Sequence, residues 1–309
     1  MHEIGRLLTA MVTPFHEDGS LDLEGAQLLA RRLAGQGSDG VVVFGTTGES
    51  PTLTDNEKLA LLRAVRDALP DRAVVAGTGT NDTRHSVDLS ERAIAGGADA
   101  LLAVLPYYNK PSQEGLYQHF RAIAEVGPVI LYNIKSRSGV NMTVDTTLRL
   151  AELPGIIGTK EASGDIDQIG FTCGGAPPAF RVWSGDDSMT LPLLAVGGYG
   201  LVSVTSHLAG PALKEMIERY LSGDVQGAAR LHQRLLPLIK AVMTTASNPM
   251  PVKSVLRRLG VRVGPFRLPM TPLSDADLER VMTAVENAGA LVADSAGEAA
   301  NQGLRRVAG

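Results

Sequence analysis

Cysteine and clustered metal ligands are scarce in this sequence. Only one of the 309 residues, Cys173, is a cysteine, which excludes an internal disulfide and is typical of a protein from a reducing compartment. The six histidines are scattered, with no H-E-x-x-H pair and no cysteine cluster beside them. We therefore expect a cytoplasmic protein without a metal site.

An excess of charge, long hydrophobic runs and nucleotide-binding loops are also absent. The net charge of -4 gives no basic surface for nucleic acid. No apolar run reaches the roughly 18 residues of a membrane span, and the opening stretch MHEIGRLLTAMVTPF lacks the pattern of a signal peptide. No G-x-G-x-x-G turn follows any strand-like run, and no Walker A loop or G-x-S-x-G elbow occurs. We expect neither nucleic acid nor a membrane as a partner.

Eight short apolar runs are present, and they alternate with helix-like stretches such as 54–69, 82–95 and 112–126. Several are apolar on consecutive positions, as expected when both faces of a parallel strand are buried. Eight alternations predict a closed (β/α)8 TIM barrel over residues 1–221, whereas a doubly wound open sheet would need fewer strands and a glycine-rich first turn. The runs cover residues 7–15, 40–47, 73–79, 100–107, 128–134, 155–162, 181–187 and 200–206.

The chain after residue 221 has no further strand-like run. Helices are predicted over 251–259 and 275–288, and the segment 222–290 is interpreted as a C-terminal helical extension packed on the barrel. The remaining tail, 291–309, is rich in alanine, glycine and polar residues, and we expect it to be frayed. An earlier helix is indicated by apolar residues at helical spacing, namely Leu231, Leu235, Leu238 and Val242.

Lys160 lies near the carboxyl end of the sixth run, which is where the catalytic residues of such barrels are found. Because strand side chains alternate, Ile156, Gly158 and Lys160 share one face. If that face is the inner one, Gly158 would leave room for a bent substrate. Burial would lower the pKa of the amine and make it a nucleophile near neutral pH. The alternative is a lysine that extends from the strand end into solvent.

Hydroxyl groups at other strand ends could move protons for such an amine. Tyr132 shares a strand face with Ile130 and Ile134, while Thr46 and Tyr108 follow two other strands. The alternative is that the tyrosines are packing residues with satisfied hydroxyls.

Two features could bind carboxylates. The turn Gly45–Ser50 presents backbone N–H groups, and Arg137 could pair with a second carboxylate. Ordinary turn chemistry and a solvated loop arginine are the alternatives. Asp186 and Asp187 are adjacent, so we expect them to face opposite sides and not to share a proton.

Seven sequence blocks together resemble the dihydrodipicolinate synthase / N-acetylneuraminate lyase family of class I aldolases, from about residue 5 to residue 290. Each block alone is weak, but seven in the family's order are specific. They are G-T-T-G-E-S at 45–50, P-Y-Y-N-K-P at 106–111, Y-N at 132–133, S-R-S-G at 136–139, K-E-A-S-G at 160–164, S-G-D-D at 184–187 and G-L-V-S-V-T at 200–205.

The resemblance implies a catalytic role for four residues. Lys160 matches the lysine that forms the Schiff base, so no cofactor is implied beyond a covalent pyruvate imine. Tyr132, Thr46 and Tyr108 match the family's proton relay, in which the Tyr108 equivalent reaches into the neighbouring subunit's site. A homo-oligomer is therefore implied, at least a dimer and commonly a tetramer.

Three further residues match substrate-binding positions of the family. Thr47, with the adjacent N–H groups, matches the pyruvate-carboxylate site. Arg137 matches the residue that receives the carboxylate of aspartate semialdehyde, and Val202 matches a lining position near pyruvate.

Within the family, the Thr-Thr-Gly-Glu block and an arginine after the fifth strand favour the synthases. The implied reaction condenses pyruvate with L-aspartate 4-semialdehyde to 4-hydroxy-tetrahydrodipicolinate, in lysine biosynthesis. Two alternatives stay open. One is a related pyruvate-dependent aldolase, lyase or dehydratase acting on a sugar-acid or hydroxyproline-derived 2-oxo acid, and the other is a barrel that binds 2-oxo acids without turnover.

The sequence departs from the family pattern at two places. Lys135 stands where proline is usual, which loosens the loop before Arg137 and bears on the choice of aldehyde. Asp55 and Lys58 stand where lysine-inhibited members often have histidine, and His85 stands where they have glutamate.

These departures predict weak or absent feedback inhibition by lysine. A cationic Lys58 would repel the ammonium groups of the effector. The measurement is the initial rate of the purified protein against lysine concentration. Inhibition in the low micromolar range would overturn the prediction.

Overall fold

Eight parallel strands form a closed barrel, in which each strand is hydrogen-bonded to the next and the last to the first. The structure is a computed structural model that describes residues 2–289, so the predicted tail, 291–309, lies outside the described residues. The predicted (β/α)8 fold is confirmed. The strands are β1 (Leu7–Ala10), β2 (Gly40–Val43), β3 (Ala73–Gly77), β4 (Ala100–Val104), β5 (Val129–Asn133), β6 (Ile156–Glu161), β7 (Arg181–Ser184) and β8 (Gly200–Ser203).

The strands are shorter than the apolar runs that predict them. The first run covers 7–15, but β1 ends at Ala10, and Met11, Val12 and Phe15 beyond it are still buried. These residues pack in the connection to the next helix, so they are apolar for burial and not for strand pairing. Composition therefore indicates that a strand is present, but the ladder hydrogen bonds decide where it ends.

Helices cover the outside of the barrel and form the C-terminal extension, and none within residues 2–289 is long and apolar enough to span a bilayer. Thr54 and Glu57 form a capping box at the start of the second helix. The helices are α1 (Leu23–Gly35), α2 (Asp55–Ala68), α3 (Thr83–Ala95), α4 (Gln113–Ala124), α5 (Lys135–Ser138), α6 (Val144–Ala151), α7 (Ile166–Gly175), α8 (Thr190–Ala195), α9 (Ser206–Leu221), α10 (Val225–Thr244), α11 (Met250–Arg258) and α12 (Asp275–Ala288).

The C-terminal extension packs on the last helix of the barrel. α10 contacts both α9 and α12, and its apolar positions Leu231, Leu235, Leu238 and Val242 are buried there, at the predicted helical spacing. Ser274 caps α12, which covers the predicted range 275–288, by accepting a hydrogen bond from the Asp277 backbone N–H at 3.2 Å.

Side chains of each strand alternate between the barrel interior and the layer beneath the helices. On β5, Ile130 and Tyr132 belong to the interior cluster with Val202, whereas Val129 and Leu131 pack in the outer layer. This alternation decides which strand-end residues can face the interior of the barrel.

Gly158 does not leave room for a substrate, and that interpretation of the sequence was wrong. A Cβ at this position would collide with the Arg181 carbonyl and lie 2.7 Å from Trp183 Cζ3. The ring of Trp183, which is fully buried in the interior, fills the space beneath Lys160. Glycine at 158 therefore permits close packing of β6 against β7.

Candidate active site

Lys160 and Tyr132 lie side by side inside the barrel. The register of β5 and β6 places them directly opposite each other, because Tyr132 pairs with Lys160. Both are buried, at 5% and 6% exposure, and the Lys160 Nζ lies 4.2 Å from the centre of the Tyr132 ring. The alternative of a lysine extended into solvent therefore does not describe this structure.

Burial shifts the proton equilibria of both groups. It lowers the pKa of Lys160 to about 8, with Asp187 opposing the shift and Arg137 adding to it. At pH 7 roughly a tenth of the amine is then neutral, against about one part in 3,000 for the ordinary lysine pKa. Burial raises the pKa of Tyr132 to about 12, so the phenol keeps its proton. The pair thus combines an amine that can act as a nucleophile with a neutral phenol that can donate a proton.

Gly185, which follows β7, makes room for the Lys160 side chain. A Cβ there would lie 2.9 Å from Lys160 Cε and 2.8 Å from Ala162 Cβ. Reasoning from the sequence missed this residue, because only the pairing of β6 with β7 brings the two strand ends together.

Asp187 supplies a buried negative group near the amine. Its oxygens accept hydrogen bonds from Ser203 Oγ and from the backbone N–H groups of Val204 and Thr205, the latter two at 3.2 Å. Burial raises its pKa despite these bonds. Asp186 instead caps a short 3-10 turn through Ser188, so the two carboxylates have separate partners, as expected.

The turn after β2 carries the two threonines that the sequence singled out, Thr46 and Thr47. Residues 46–48 form one 3-10 turn, closed by hydrogen bonds from Gly48 N to Gly45 O at 3.0 Å and from Glu49 N to Thr46 O at 3.1 Å. Thr46 is half-buried and lines the same cavity as Tyr132, whereas Thr47 is buried.

Asn248, between α10 and α11, connects the two predicted carboxylate sites. Its side-chain amide donates to Thr47 Oγ1 at 2.8 Å, and its backbone carbonyl accepts from Arg137 Nη2 at 3.3 Å. Arg137 itself is exposed on the short helix α5, which begins at Lys135. No local pattern marks Asn248, so sequence reasoning did not find it.

A cavity of about 660 Å³ extends from some of the predicted site residues to the positions that match the family's lysine-feedback site. Thr46, Tyr132 and Arg137 line one part of it, and Asp55, Lys58 and His85 line another.

Asp55 contacts two basic neighbours, Lys58 and His85, in the second part of the cavity. Lys58 Nζ donates to Asp55 Oδ1 at 3.4 Å, and His85 Nε2 lies 2.9 Å from Asp55 Oδ2. Burial works the other way, but the His85 hydrogen bond and the Lys58 charge hold the pKa of Asp55 below its ordinary value. The Asp55 carboxylate is therefore already paired within the chain.

Within this chain Tyr108 lies apart from Tyr132 and Thr46, the other residues that are predicted to relay protons. It is 89% exposed and has a left-handed backbone with φ of 76°, which is uncommon for a residue with a side chain. Tyr107 beside it is less exposed and lines the cavity. Val202 is buried in the barrel interior with Tyr132. A single chain thus brings Lys160, Tyr132 and Thr46 into one region but leaves Tyr108 outside it.

Comparison with known proteins gives consistent matches. The model of the dihydrodipicolinate synthetase family matches residues 3–288. The 4-hydroxy-tetrahydrodipicolinate synthase of Moorella thermoacetica is 57% identical over 290 residues, covering 93% of this chain and 99% of the relative. That of Thermosynechococcus vestitus is 49% identical and covers 94% of this chain and 99% of its own.

Solved structures agree with these relatives. DHDPS from Cyanidioschyzon merolae with lysine bound has a TM-score of 0.91 at 43% identity, covering 94% of this chain and 99% of that one. The chloride-inhibited dihydrodipicolinate synthase of Acinetobacter baumannii, complexed with pyruvate, has a TM-score of 0.89 at 38% identity, covering 93% and 99%.

The charge of Asp187 predicts a measurable shift in the reactivity of Lys160. Asp187→Asn removes a negative charge that favours the ammonium, so the pKa of Lys160 should fall below about 8. The measurement is the rate of reductive methylation of Lys160 by formaldehyde and cyanoborohydride between pH 6 and 10, followed by peptide mass spectrometry. The variant should react faster than the parent below pH 8.

Asp186→Asn is the matched control, because that carboxylate bonds to Ser188 and not to the turn after β8. Asp186→Asn should not lower the pH midpoint of Lys160 methylation. An unchanged midpoint in Asp187→Asn would mean that the Asp187 carboxyl is protonated and exerts no field on the amine.

Proposed function

The chain belongs to the dihydrodipicolinate synthetase family, and from that premise we propose that it condenses pyruvate with L-aspartate 4-semialdehyde to 4-hydroxy-tetrahydrodipicolinate. The single observation that carries this proposal is the buried Lys160 amine against the ring of Tyr132. The relatives named as 4-hydroxy-tetrahydrodipicolinate synthases and the neighbour solved with pyruvate support the choice of substrates. The chain is a lyase of lysine biosynthesis by way of diaminopimelate.

The first chemical step forms an imine on Lys160. The neutral Nζ attacks C2 of pyruvate, and the resulting carbinolamine loses its hydroxyl as water to leave the C=N bond. The departing hydroxyl needs a proton and the attacking nitrogen must lose one, so one relay group can serve both transfers. Tyr132 is the neutral phenol nearest to the amine, and Thr46 extends the relay.

The second step forms the new carbon–carbon bond. Loss of a proton from C3 converts the imine into an enamine, whose C3 attacks the aldehyde carbon of the second substrate. The amino group of that substrate then attacks C2 and displaces the Lys160 amine, which closes the ring and regenerates the free lysine. The water lost in the first step is the only by-product.

The two substrate carboxylates bind at different depths. We assign the pyruvate carboxylate to the turn with Thr47, which is buried and oriented by Asn248, with Val202 lining the interior nearby. The carboxylate of the second substrate binds to Arg137 at the exposed rim.

Pyruvate activation in this scheme needs no cofactor, because the covalent imine on Lys160 performs it. The free cysteine, Cys173, fits a reducing cytoplasm as the place of the reaction.

A second candidate function is a related pyruvate-dependent aldolase, lyase or dehydratase. Lys135 is exposed two residues before Arg137 and adds a cation to the rim that would receive the second substrate. The pyruvate end is common to both candidates, so only the second substrate separates them.

Reductive trapping tests the shared chemistry. Incubation with pyruvate and borohydride should add one pyruvate mass to the peptide that contains Lys160, and Lys160→Ala should abolish the adduct. Tyr132→Phe should slow turnover by about 100-fold or more while pyruvate binding changes little. Lys214→Ala, a lysine paired with Asp39, is the control and should trap normally. Absence of an adduct in the parent protein would refute the proposal, and trapping without turnover would indicate a binding protein.

A substrate panel distinguishes the two candidate functions. We expect aspartate semialdehyde to give the highest kcat/KM when it is compared with sugar-acid and hydroxyproline-derived 2-oxo acids. A preference for the latter would replace the synthase by the second candidate.

We propose that the active assembly is a homo-oligomer, at least a dimer and up to a tetramer, in which Tyr108 completes the relay of a neighbouring subunit. The exposed phenol and its left-handed backbone support this proposal. Co-expression of Tyr108→Phe with Lys160→Ala should restore activity, because one site of a mixed dimer then has both an intact lysine and an intact tyrosine. If Tyr108 acted within its own chain, no site of the mixture would be complete and activity would stay low.

A further inference from the structure

We propose that Glu49 and Lys253 are positioning residues of the active site, and that their buried ion pair fixes the turn that carries Thr46 and Thr47. Glu49 belongs to that turn, whereas Lys253 lies on α11 in the C-terminal extension. The expected effect on pyruvate binding rests on the proposed function, whereas the expected effect on the rigidity of the turn does not.

The pair is completely enclosed. Both side chains are 0% exposed, and Lys253 Nζ donates to Glu49 Oε1 at 2.6 Å and to the Thr13 carbonyl at 2.9 Å. The ammonium also lies 4.4 Å from the centre of the Phe15 ring. The other Glu49 oxygen accepts from the Arg267 backbone N–H at 3.1 Å.

The contacts of the pair surround the turn on two sides. Glu49 has φ of 55° and ψ of 36°, a left-handed conformation that normally favours glycine, and it joins the 3-10 turns 46–48 and 50–52. Thr13, the second acceptor of Lys253, donates its hydroxyl to the Gly48 carbonyl at 2.6 Å. One ammonium from α11 therefore binds both Glu49 and the residue that holds Gly48.

Stability alone does not account for such an arrangement. Desolvation can cancel the attraction within a buried ion pair, and apolar replacements are often neutral or stabilising. Two enclosed charges with several directional hydrogen bonds do, however, fix the local geometry. Here that geometry belongs to the turn whose Thr47 we assign to the pyruvate carboxylate.

Lys253→Met tests the proposal, because methionine keeps most of the length of the lysine side chain but loses the N–H donors of the ammonium. Amide hydrogen exchange of the peptide covering 45–50 should accelerate by more than about tenfold, while peptides from β4 to β6 stay protected. The pyruvate concentration that half-saturates reductive trapping should rise about tenfold, and half-saturation by the aldehyde should change less than about twofold.

Lys214→Met is the matched control. Lys214 forms an ion pair of the same 2.6 Å length with Asp39, which precedes β2 at the opposite end of the barrel. This variant should leave both the exchange of 45–50 and the pyruvate half-saturation unchanged. Equal effects in the two variants would overturn the proposal.

The double variant Glu49→Gln with Lys253→Met separates positioning from charge balance. This variant removes both charges of the pair, but the Lys253 ammonium that donates to Thr13 and to residue 49 is still missing. Continued loss of pyruvate affinity supports positioning, whereas recovery to the parent value would show that only charge compensation matters and would overturn it. Glu49→Gln alone replaces Lys253→Met in every comparison if the latter does not fold. A parent protein that traps no pyruvate refutes the proposed function, and the exchange measurement still decides the positioning role.

Discussion

The burial of one amine is the constraint on which the rest of the site depends. A charged group inside a barrel is costly unless its surroundings compensate it. For Lys160 the ring of Tyr132 and the carboxyl of Asp187 can stabilise the ammonium, while burial favours the neutral amine. Both protonation states are therefore accessible near neutral pH, which a nucleophile that is released and reused in each cycle requires. Gly185 contributes by leaving space for the Lys160 side chain.

The barrel alone does not build the site, because its loops need support from outside. Asn248, Lys253 and Arg267 all come from the C-terminal extension, and all three contact the turn after β2. That turn contains a non-glycine residue, Glu49, in a left-handed conformation, which the surrounding structure has to maintain. The extension is thus a structural part of the substrate-binding region as well as a cover for α9.

The sequence allowed the fold and the Lys160–Tyr132 pair to be predicted, because strand alternation is a local pattern that sets which side chains point into a barrel. Contacts between distant segments were not predictable. Asn248 meets Thr47 across 201 positions and Lys253 meets Glu49 across 204, and nothing near either residue indicates its partner. Gly158 was misinterpreted for the same reason, since the ring that fills its space belongs to the next strand. The role proposed for Tyr108 involves a second subunit, so it stays a prediction.

The two proposed substrate regions, the pyruvate end around Thr47 and Lys160 and the exposed rim at Arg137, differ in how freely they can change. Thr47 and Lys160 are buried and held by directional contacts, so a substitution there would disturb the core as well as the chemistry. Arg137 is exposed, and its contact with the chain is to the backbone carbonyl of Asn248, which any residue at 248 would retain. The hydrogen bond to Thr47, in contrast, comes from the side-chain amide of Asn248, so it depends on which residue stands at 248. Substitutions at the rim, such as lysine at 135, can therefore alter the second substrate at little cost to the fold, while the pyruvate end stays fixed.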